Sequence, residues 1–235
     1  QKFSQREDIT STRTLHSLLI SRGIQSPPGS PGNHLIRLLT SHGTLFEANL
    51  VFCHVEEPCV YTWHAIIWGH FVHGYHERAL TLFSHMQQEG IKAGKCTFLC
   101  ILKVCSNVGA ITLGMMIHAQ IIYVALEAHL TIGSTLIDMY SSCGIFEKAR
   151  EVFDNLLVQD VLAWTTLITK YARYGKYEEG LACFEEMKSN GVSPNSVILI
   201  CSLNACCTLG AIERAEEIHA DIIRLGCLGN DTAVG

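Results

Sequence analysis

Twelve histidines and eleven cysteines are the residues of this chain with the widest chemical reach, as metal ligands, nucleophiles or proton carriers. Their spacing argues against each of those roles. No C-x-x-C pair occurs, and no H-x-E is followed by P-C-x-x-C, so neither a thiolate zinc site nor a zinc-dependent deaminase centre is written here. Cys53, Cys105, Cys143, Cys183 and Cys206 fall on apolar periodic segments and not at disulfide-framework spacing, which predicts reduced thiols in a reducing compartment. His118 and Asp138 with a serine would supply the residue types of a hydrolytic triad, but they are scattered with no common pocket to gather them. No metal, cofactor, small-molecule substrate or catalytic residue is predicted. What remains are short polar residues, Ser, Thr, Asn and Asp. Such residues either cap helices and turns or hydrogen-bond to the edge of an unstacked base, and residue type alone leaves both roles open.

The elements that position them follow from composition and periodicity. Hydrophobic residues make up 48% of the 235 positions and charged residues 17%, enough apolar surface for a packed structure. No run of about 18 apolar residues lacks a glycine, histidine or charge, so no membrane-spanning helix is predicted. The sequence opens at Gln1 with no initiator Met and closes at Gly235 in mid-pattern, so the expectation is a piece of a longer chain, with any targeting peptide or C-terminal domain outside it. A net charge of −5 counts mildly against a polyanionic partner, because Lys and Arg supply the non-specific part of nucleic-acid affinity.

Shifted by 101 residues, the chain matches itself without a gap: Trp63 falls on Trp164, Gly74 on Gly175, Phe83 on Phe184, Met86 on Met187 and Gly90 on Gly191. Cys105, Gly109 and His118 likewise meet Cys206, Gly210 and His219, a recurrence that marks packing positions and not ligands. Three smaller units lie within that period, each an amphipathic segment, a glycine turn, a second amphipathic segment and a polar exit. The clearest predicts helices over Val161–Arg173 and Tyr177–Ser189, a turn at Gly175 and a stop at Gly191 and Pro194. Leu181, Phe184 and Met187 make one apolar stripe on the second helix, with Glu185, Glu186 and Lys188 facing water. A hairpin of that size cannot bury both faces alone, so the units are expected to stack as an all-α solenoid of antiparallel helix pairs, with a concave surface built mostly from first helices.

The stretch VLAWTTLITKYARYGKYEEGLACFEEMKSNGVSPN, 35 residues from Val161 to Asn195, resembles the pentatricopeptide repeat along its whole length. It lacks the Trp, Leu-Gly and Tyr spacing of tetratricopeptide repeats. The unit at 95–129, with Cys105, Gly109-Ala110 and Ile117-His118-Ala119, is similar to the family's long variant, and the 31-residue unit at 130–160, with LIDMYSSCG and KAREVFD, to its short variant. On that resemblance the chain divides into a partial long unit (1–28), a short one (29–59), an ordinary one (60–94), long (95–129), short (130–160), ordinary (161–195), long (196–231) and a stub (232–235). This order resembles the plant subclass that alternates ordinary, long and short units, which implies a right-handed superhelix, organellar transcripts in mitochondrion or chloroplast as targets, and a role in specifying C-to-U editing sites. The implied partners are single-stranded RNA and other proteins of an editing complex, with no membrane. A cytidine-deaminase-like domain often follows such arrays and stays open for residues beyond this sequence.

The resemblance also implies a reading scheme. In each ordinary or short unit, the fifth and the last residue face one base, while the second wedges between bases. Thr165 with Asn195, and Leu162 as the wedge, implies adenine. Ser134 with Asp160, and Thr131 at the wedge position, implies a purine, preferably guanine. Asn33 implies a pyrimidine, although its partner Cys59 departs from the scheme; His64 with Gly94, and Tyr61 at the wedge position, departs and implies no base. Leu99 and Ile200, fifth in the long units, cannot read a base by hydrogen bonding. At the thirteenth position, where the family favours a basic phosphate contact, Arg173 qualifies, while Val72 and Ser142 do not. The array would run parallel to RNA from 5′ to 3′ as pyrimidine, two unread bases, guanine, adenine and one unread base. The acidic residues Glu178, Glu179, Glu185 and Glu186 are expected on outward-facing second helices, so the negative net charge does not exclude RNA. A rival reading is a scaffold that binds protein through the same surface, for which Cys59, Gly94, Leu99 and Ile200 speak.

Overall fold

The computed structural model describes residues 31–55, 57–126 and 129–224. The units expected at 1–28 and 232–235, and the end of the one at 196–231, lie outside the described residues. Within the described residues there are twelve α-helices and no strand, the all-α class read from the sequence. None of these helices is long and apolar enough to cross a membrane. Two compact units divide the chain, one ending at Val108 and the other beginning at Gly109.

The first unit contains α1 (Pro31–Ser41), α2 (Leu45–Cys53), α3 (Val60–Val72), α4 (His76–Gln88) and α5 (Lys95–Val108). Helix α1 packs on α2 and α3, and α3 on α4 and α5. Leu35, Ile36, Ile66, Ile67, Phe83, Met86 and Ile101 are fully buried between them. The second unit contains α6 (Ile111–Tyr123), α7 (Leu130–Ser142), α8 (Phe146–Asp154), α9 (Val161–Arg173), α10 (Tyr177–Ser189), α11 (Ser196–Leu209) and α12 (Ile212–Arg224). Here α7, α9 and α11 pack side by side, while α8, α10 and α12 each fold back on the helix before. The neighbouring first helices α7 and α9 therefore bring Leu130–Ser142 against Val161–Arg173, which sets where the polar residues of both can meet.

Helix α9 shows how the pattern makes the element. Ala163, Trp164, Leu167, Ile168 and Tyr171 are its buried residues, a stripe at one, four and five positions' spacing that only an α-helix keeps on one face. Burying each large apolar side chain stabilises by about 1.5–3 kcal/mol. The helix ends because Gly175 takes φ +73°, a conformation costly for other residues, so that the Lys176 N–H turns back to the Tyr171 carbonyl at 2.9 Å. The stripe Leu181, Phe184 and Met187 of α10 is buried against it. The 101-residue repeat of sequence is also a repeat of packing. Phe153 meets Trp164 edge-on with ring centroids 4.4 Å apart, and Phe52 meets Trp63 edge-on at 4.7 Å.

Two expectations need correction. Of the five cysteines read on apolar periodic segments, Cys105, Cys183 and Cys206 are buried, whereas Cys53 is exposed at the end of α2 and Cys143 sits half-buried at the C-cap of α7. Glu186 does not simply face water. It takes a two-pronged bond from Arg150 at 2.7 and 2.8 Å, tying α10 to α8, because a guanidinium matches a carboxylate edge to edge. His118 has a packing role, its Nδ1 lying 2.8 Å from the Tyr140 hydroxyl of α7.

Candidate functional site

Thr165 and Asn195, 30 residues apart, meet where α9 begins to run beside the N-terminus of α11. Asn195 is the N-cap of α11, its Oδ1 accepting from the Ile198 N–H at 2.9 Å. Because a backbone N–H can only donate, this bond fixes the carboxamide, and Nδ2 is left to donate to Thr165 Oγ1 at 2.9 Å. The Thr165 hydroxyl sends its own proton to the Val161 carbonyl. The pair therefore keeps one N–H of Asn195 and one lone pair of Thr165 Oγ1 uncommitted. A donor beside an acceptor complements adenine, which shows an acceptor N1 next to a donor amino group. Capping and base reading, which residue type alone could not separate, are compatible in one side chain.

Asp160 caps α9 in the same manner, accepting from the Ala163 N–H at 2.9 Å. Ser134 is 8% exposed and donates to the Leu130 carbonyl at 3.0 Å, so its proton is committed and its oxygen can only accept. The Asn33 amide is engaged on both ends: the Thr62 hydroxyl donates to Oδ1 at 2.6 Å, and Nδ2 lies 3.7 Å from Cys59 Sγ. Burial lowers the pKa of half-buried His64 below its ordinary value and so favours the neutral ring, whose Nδ1 has no hydrogen-bond partner. At Gly94, the last residue of that expected unit, an added Cβ would meet only Val60 Cγ2 at 3.9 Å. At the second positions Tyr61, Thr131 and Leu162 are all exposed, as intercalating wedges must be, with Leu162 at 55%. Leu99 is half-buried and Ile200 is exposed.

Arg173 is exposed near the end of α9. Beside it Lys170 pairs with Asp138 at 2.7 Å and donates to Ser142 Oγ at 2.6 Å, bridging α9 to α7. A groove of about 560 Å³ is lined by Lys170, Arg173, Thr169, Cys201, Asn204 and Thr208. Lys170 and Thr62 are the two residues near the candidate positions that the sequence reading passed over. Each acts on a partner in the neighbouring expected unit, 28 or more residues away, and no local pattern encodes that contact. Among the described residues no cluster of three His, Cys, Asp or Glu side chains could hold a metal ion.

A PPR repeat family model matches residues 58–107 and 159–197, and a PPR repeat model matches 134–161. A putative pentatricopeptide repeat-containing protein of Arabidopsis thaliana is 30% identical over 213 residues, covering 91% of this chain and 30% of the relative. A mitochondrial one is 33% identical over 86% of this chain and 25% of its own length, and a chloroplastic one is 32% identical over 92% and 35%. The chain thus spans about a third or less of these relatives. Among solved structures, the pentatricopeptide repeat protein PPR10 from maize superposes with a TM-score of 0.66 at 19% identity, over 94% of this chain and 33% of that one. PPR10 in complex with an 18-nt psaJ RNA element superposes with a TM-score of 0.51 at 18% identity, over 93% and 38%. With its helix pairs, its internal repeat and these matches, the chain belongs to the pentatricopeptide repeat family.

Proposed function

We propose that the chain binds single-stranded RNA one base per ordinary or short unit, as part of the specificity arm of an organellar RNA-editing or processing factor. The observation that carries this reading is the Asn195–Thr165 bond, which makes one donor and one acceptor available where the resemblance places the adenine-reading pair. Asp160 and Ser134 offer acceptors, matching guanine, and Asn33 serves a pyrimidine; His64 with Gly94 reads none. Leu162, Tyr61 and Thr131 occupy the wedge positions and Arg173 contacts phosphate. The unit boundaries at 29, 60, 95, 130, 161 and 196, with their ordinary, long and short alternation, belong to the same proposal. The mitochondrial and chloroplastic relatives support an organellar setting. Each well-made pair discriminates by about 1–3 kcal/mol, and two such pairs are too few to single out one transcript site, so selectivity in the cell needs more units than these.

Electrostatics permit the reading and limit its tightness. Acidic side chains on second helices are partly neutralised where they stand: Glu186 by Arg150, Asp221 by Lys188 at 3.1 Å and Glu178 by Arg214 at 3.5 Å. Lys170 is neutralised by Asp138, which leaves Arg173 as the cation for a phosphate in that groove. With Z phosphates neutralised, the salt slope for single strands is about −0.7Z, so a shallow slope is expected.

The test is fluorescence anisotropy of the chain, extended with capping repeats, against a short RNA carrying guanine-adenine at the predicted steps and against pyrimidine swaps there. The native chain is expected to prefer adenine at the second step, and Thr165→Asn a pyrimidine. Absence of RNA binding above background would hand the surface to the second reading, a protein-binding scaffold, which the unsuited read-out residues Cys59, Gly94, Leu99 and Ile200 favour.

A further inference from the structure

We infer that Trp68, which stands at neither reading position, is a stacking platform that holds the nucleotide of the 60–94 unit by the face of its base, whichever base it carries. The inference rests on the RNA-binding function proposed above. His64 Nδ1 is buried and Gly94 has no side chain, so this unit has no polar pair to set against a base edge. What it has lies along α3. Tyr61 is 62% exposed, Trp68 41% and Val72 55%. At about 100° per residue, spacings of seven and eleven bring all three within about 20° of one line along the helix. The indole is braced on that line by two rings of its own helix, His64 with centroids 6.3 Å away and Phe71 5.4 Å away.

The 101-residue repeat identifies this surface. Tyr61, Trp68 and Val72 fall on Leu162, Thr169 and Arg173 of α9, and Thr169 and Arg173 line the groove in which the phosphate contact is proposed. At the same places α3 carries an indole and an isopropyl group where α9 carries a hydroxyl and a guanidinium, so a phosphate contact is exchanged for a flat apolar face. Every base has such a face, whereas each edge pattern belongs to one base, and stacking on an aromatic ring therefore holds nucleotides without regard to sequence. The charges nearby favour a nucleotide over an apolar peptide. Counted along the proposed units, the ninth residue is Arg37 on α1, Trp68 on α3 and Lys103 on α5; both cations are exposed, and α3 packs on both of those helices. An aromatic plane with a cation on each of two neighbouring helices matches a base and the backbone phosphates that flank it.

The chain has three tryptophans, and the other two are closed to a base, Trp63 at 5% exposure and Trp164 at 0%, so tryptophan fluorescence reports on Trp68. RNA carrying the guanine-adenine steps should quench it, and the same RNA with an abasic nucleotide one step 3′ of the Asn33 pyrimidine should not. In anisotropy titrations the four bases at that step should bind alike to within about twofold, and the abasic RNA should bind about 5- to 150-fold more weakly. Trp68→Ala should lose that factor toward the base-bearing RNAs and nothing toward the abasic one. Trp68→Tyr keeps a stacking ring and should retain most of the affinity, whereas Trp68→Leu, apolar but without a ring, should not. Should Trp68→Ala fail to fold, the quenching contrast and the Tyr and Leu variants decide in its place. Equal quenching by both RNAs, no quenching by an RNA that binds, or a Trp68→Ala loss that is the same with and without the base overturns the proposal while the adenine preference at the Thr165 step stands. Absence of binding to every RNA, with no adenine preference, removes the RNA-binding function and this inference with it.

Discussion

Replacing Asn195 by Asp separates the two bonds that its side chain makes. Oδ1 accepts from the Ile198 N–H and Nδ2 donates to Thr165 Oγ1, both at 2.9 Å. A carboxylate keeps the first bond, since Asp caps helices about as well as Asn, so stability should stay within about 0.5 kcal/mol of the native value. The second bond cannot persist as it is. An ionised carboxylate cannot donate, so the bond survives only if the Thr165 hydroxyl leaves the Val161 carbonyl for the new oxygen; otherwise it is lost, as beside Asp160, where the Ser134 hydroxyl stays on the Leu130 carbonyl. Either way the donor proposed to face the base becomes an acceptor. Guanine, with donors at N1 and its amino group, should then replace adenine as the preferred base. The discrimination of one base-edge pair, about 1–3 kcal/mol, corresponds to about 5- to 150-fold in relative affinity. Competition anisotropy with RNAs differing at that single step measures it, with thermal melts of the same proteins alongside. Asn195→Ala forms the third arm: cap and donor vanish together, stability falls by about 1 kcal/mol, and adenine loses its advantage without guanine gaining one. A normally folded Asn195→Asp protein that still prefers adenine would refute the donor–acceptor argument, even if it binds RNA tightly.

Three further outcomes follow from packing and charge. Gly69→Ala would drive a methyl into the side chain of Thr40, whose Cβ would lie 2.5 Å away, and α1 and α3 must part; a loss of about 1–3 kcal/mol is expected by chemical denaturation, whereas Gly94→Ala has room and should be neutral or gain about 0.4–1 kcal/mol. A double-mutant cycle of Arg150→Met and Glu186→Gln should give a coupling of about 0.5–1 kcal/mol, damped by the partial exposure of both groups, and a coupling of zero would remove this tie between α8 and α10. His70 is buried, with Nδ1 on the Ile66 carbonyl at 2.9 Å and Nε2 facing the Asn49 amide at 3.3 Å, a set of partners that suits the neutral ring. Its pKa is lowered by burial, against the Ile66 hydrogen bond and with help from Arg78 and His73. A depressed folded-state pKa means that stability is fully present above the unfolded value of about 6.5 and declines as pH falls below it. His70→Gln should reduce that decline, and His64 supplies a part of the same sign; equal acid sensitivity in the His70→Gln protein would count against this assignment.

What the sequence made legible is the part that periodicity encodes. The buried stripe of α9, the turn at Gly175 and the Trp–Phe contact that recurs 101 residues apart each follow from which face of a helix is apolar and where a left-handed residue is allowed. Of the candidate pairs, Thr165 and Asn195 were legible as neighbours, since they do meet. Illegible was the assignment of protons among them. No local pattern announces that the Thr62 hydroxyl reaches Asn33 from the next helix pair, or that Lys170 is paired with Asp138 of a neighbouring first helix. These contacts join residues about 30 positions apart and depend on distances held to within about an ångström, and helical periodicity constrains faces at a coarser scale. The consequence is specific to repeat arrays. A reading scheme based on two positions per unit treats each unit as independent, yet Thr62 and Lys170 each bond to side chains of the expected unit before their own. Moving the 29–59 segment into another array without a hydroxyl at the place of Thr62 should therefore leave Asn33 Oδ1 without this donor, though every residue of the segment itself is kept.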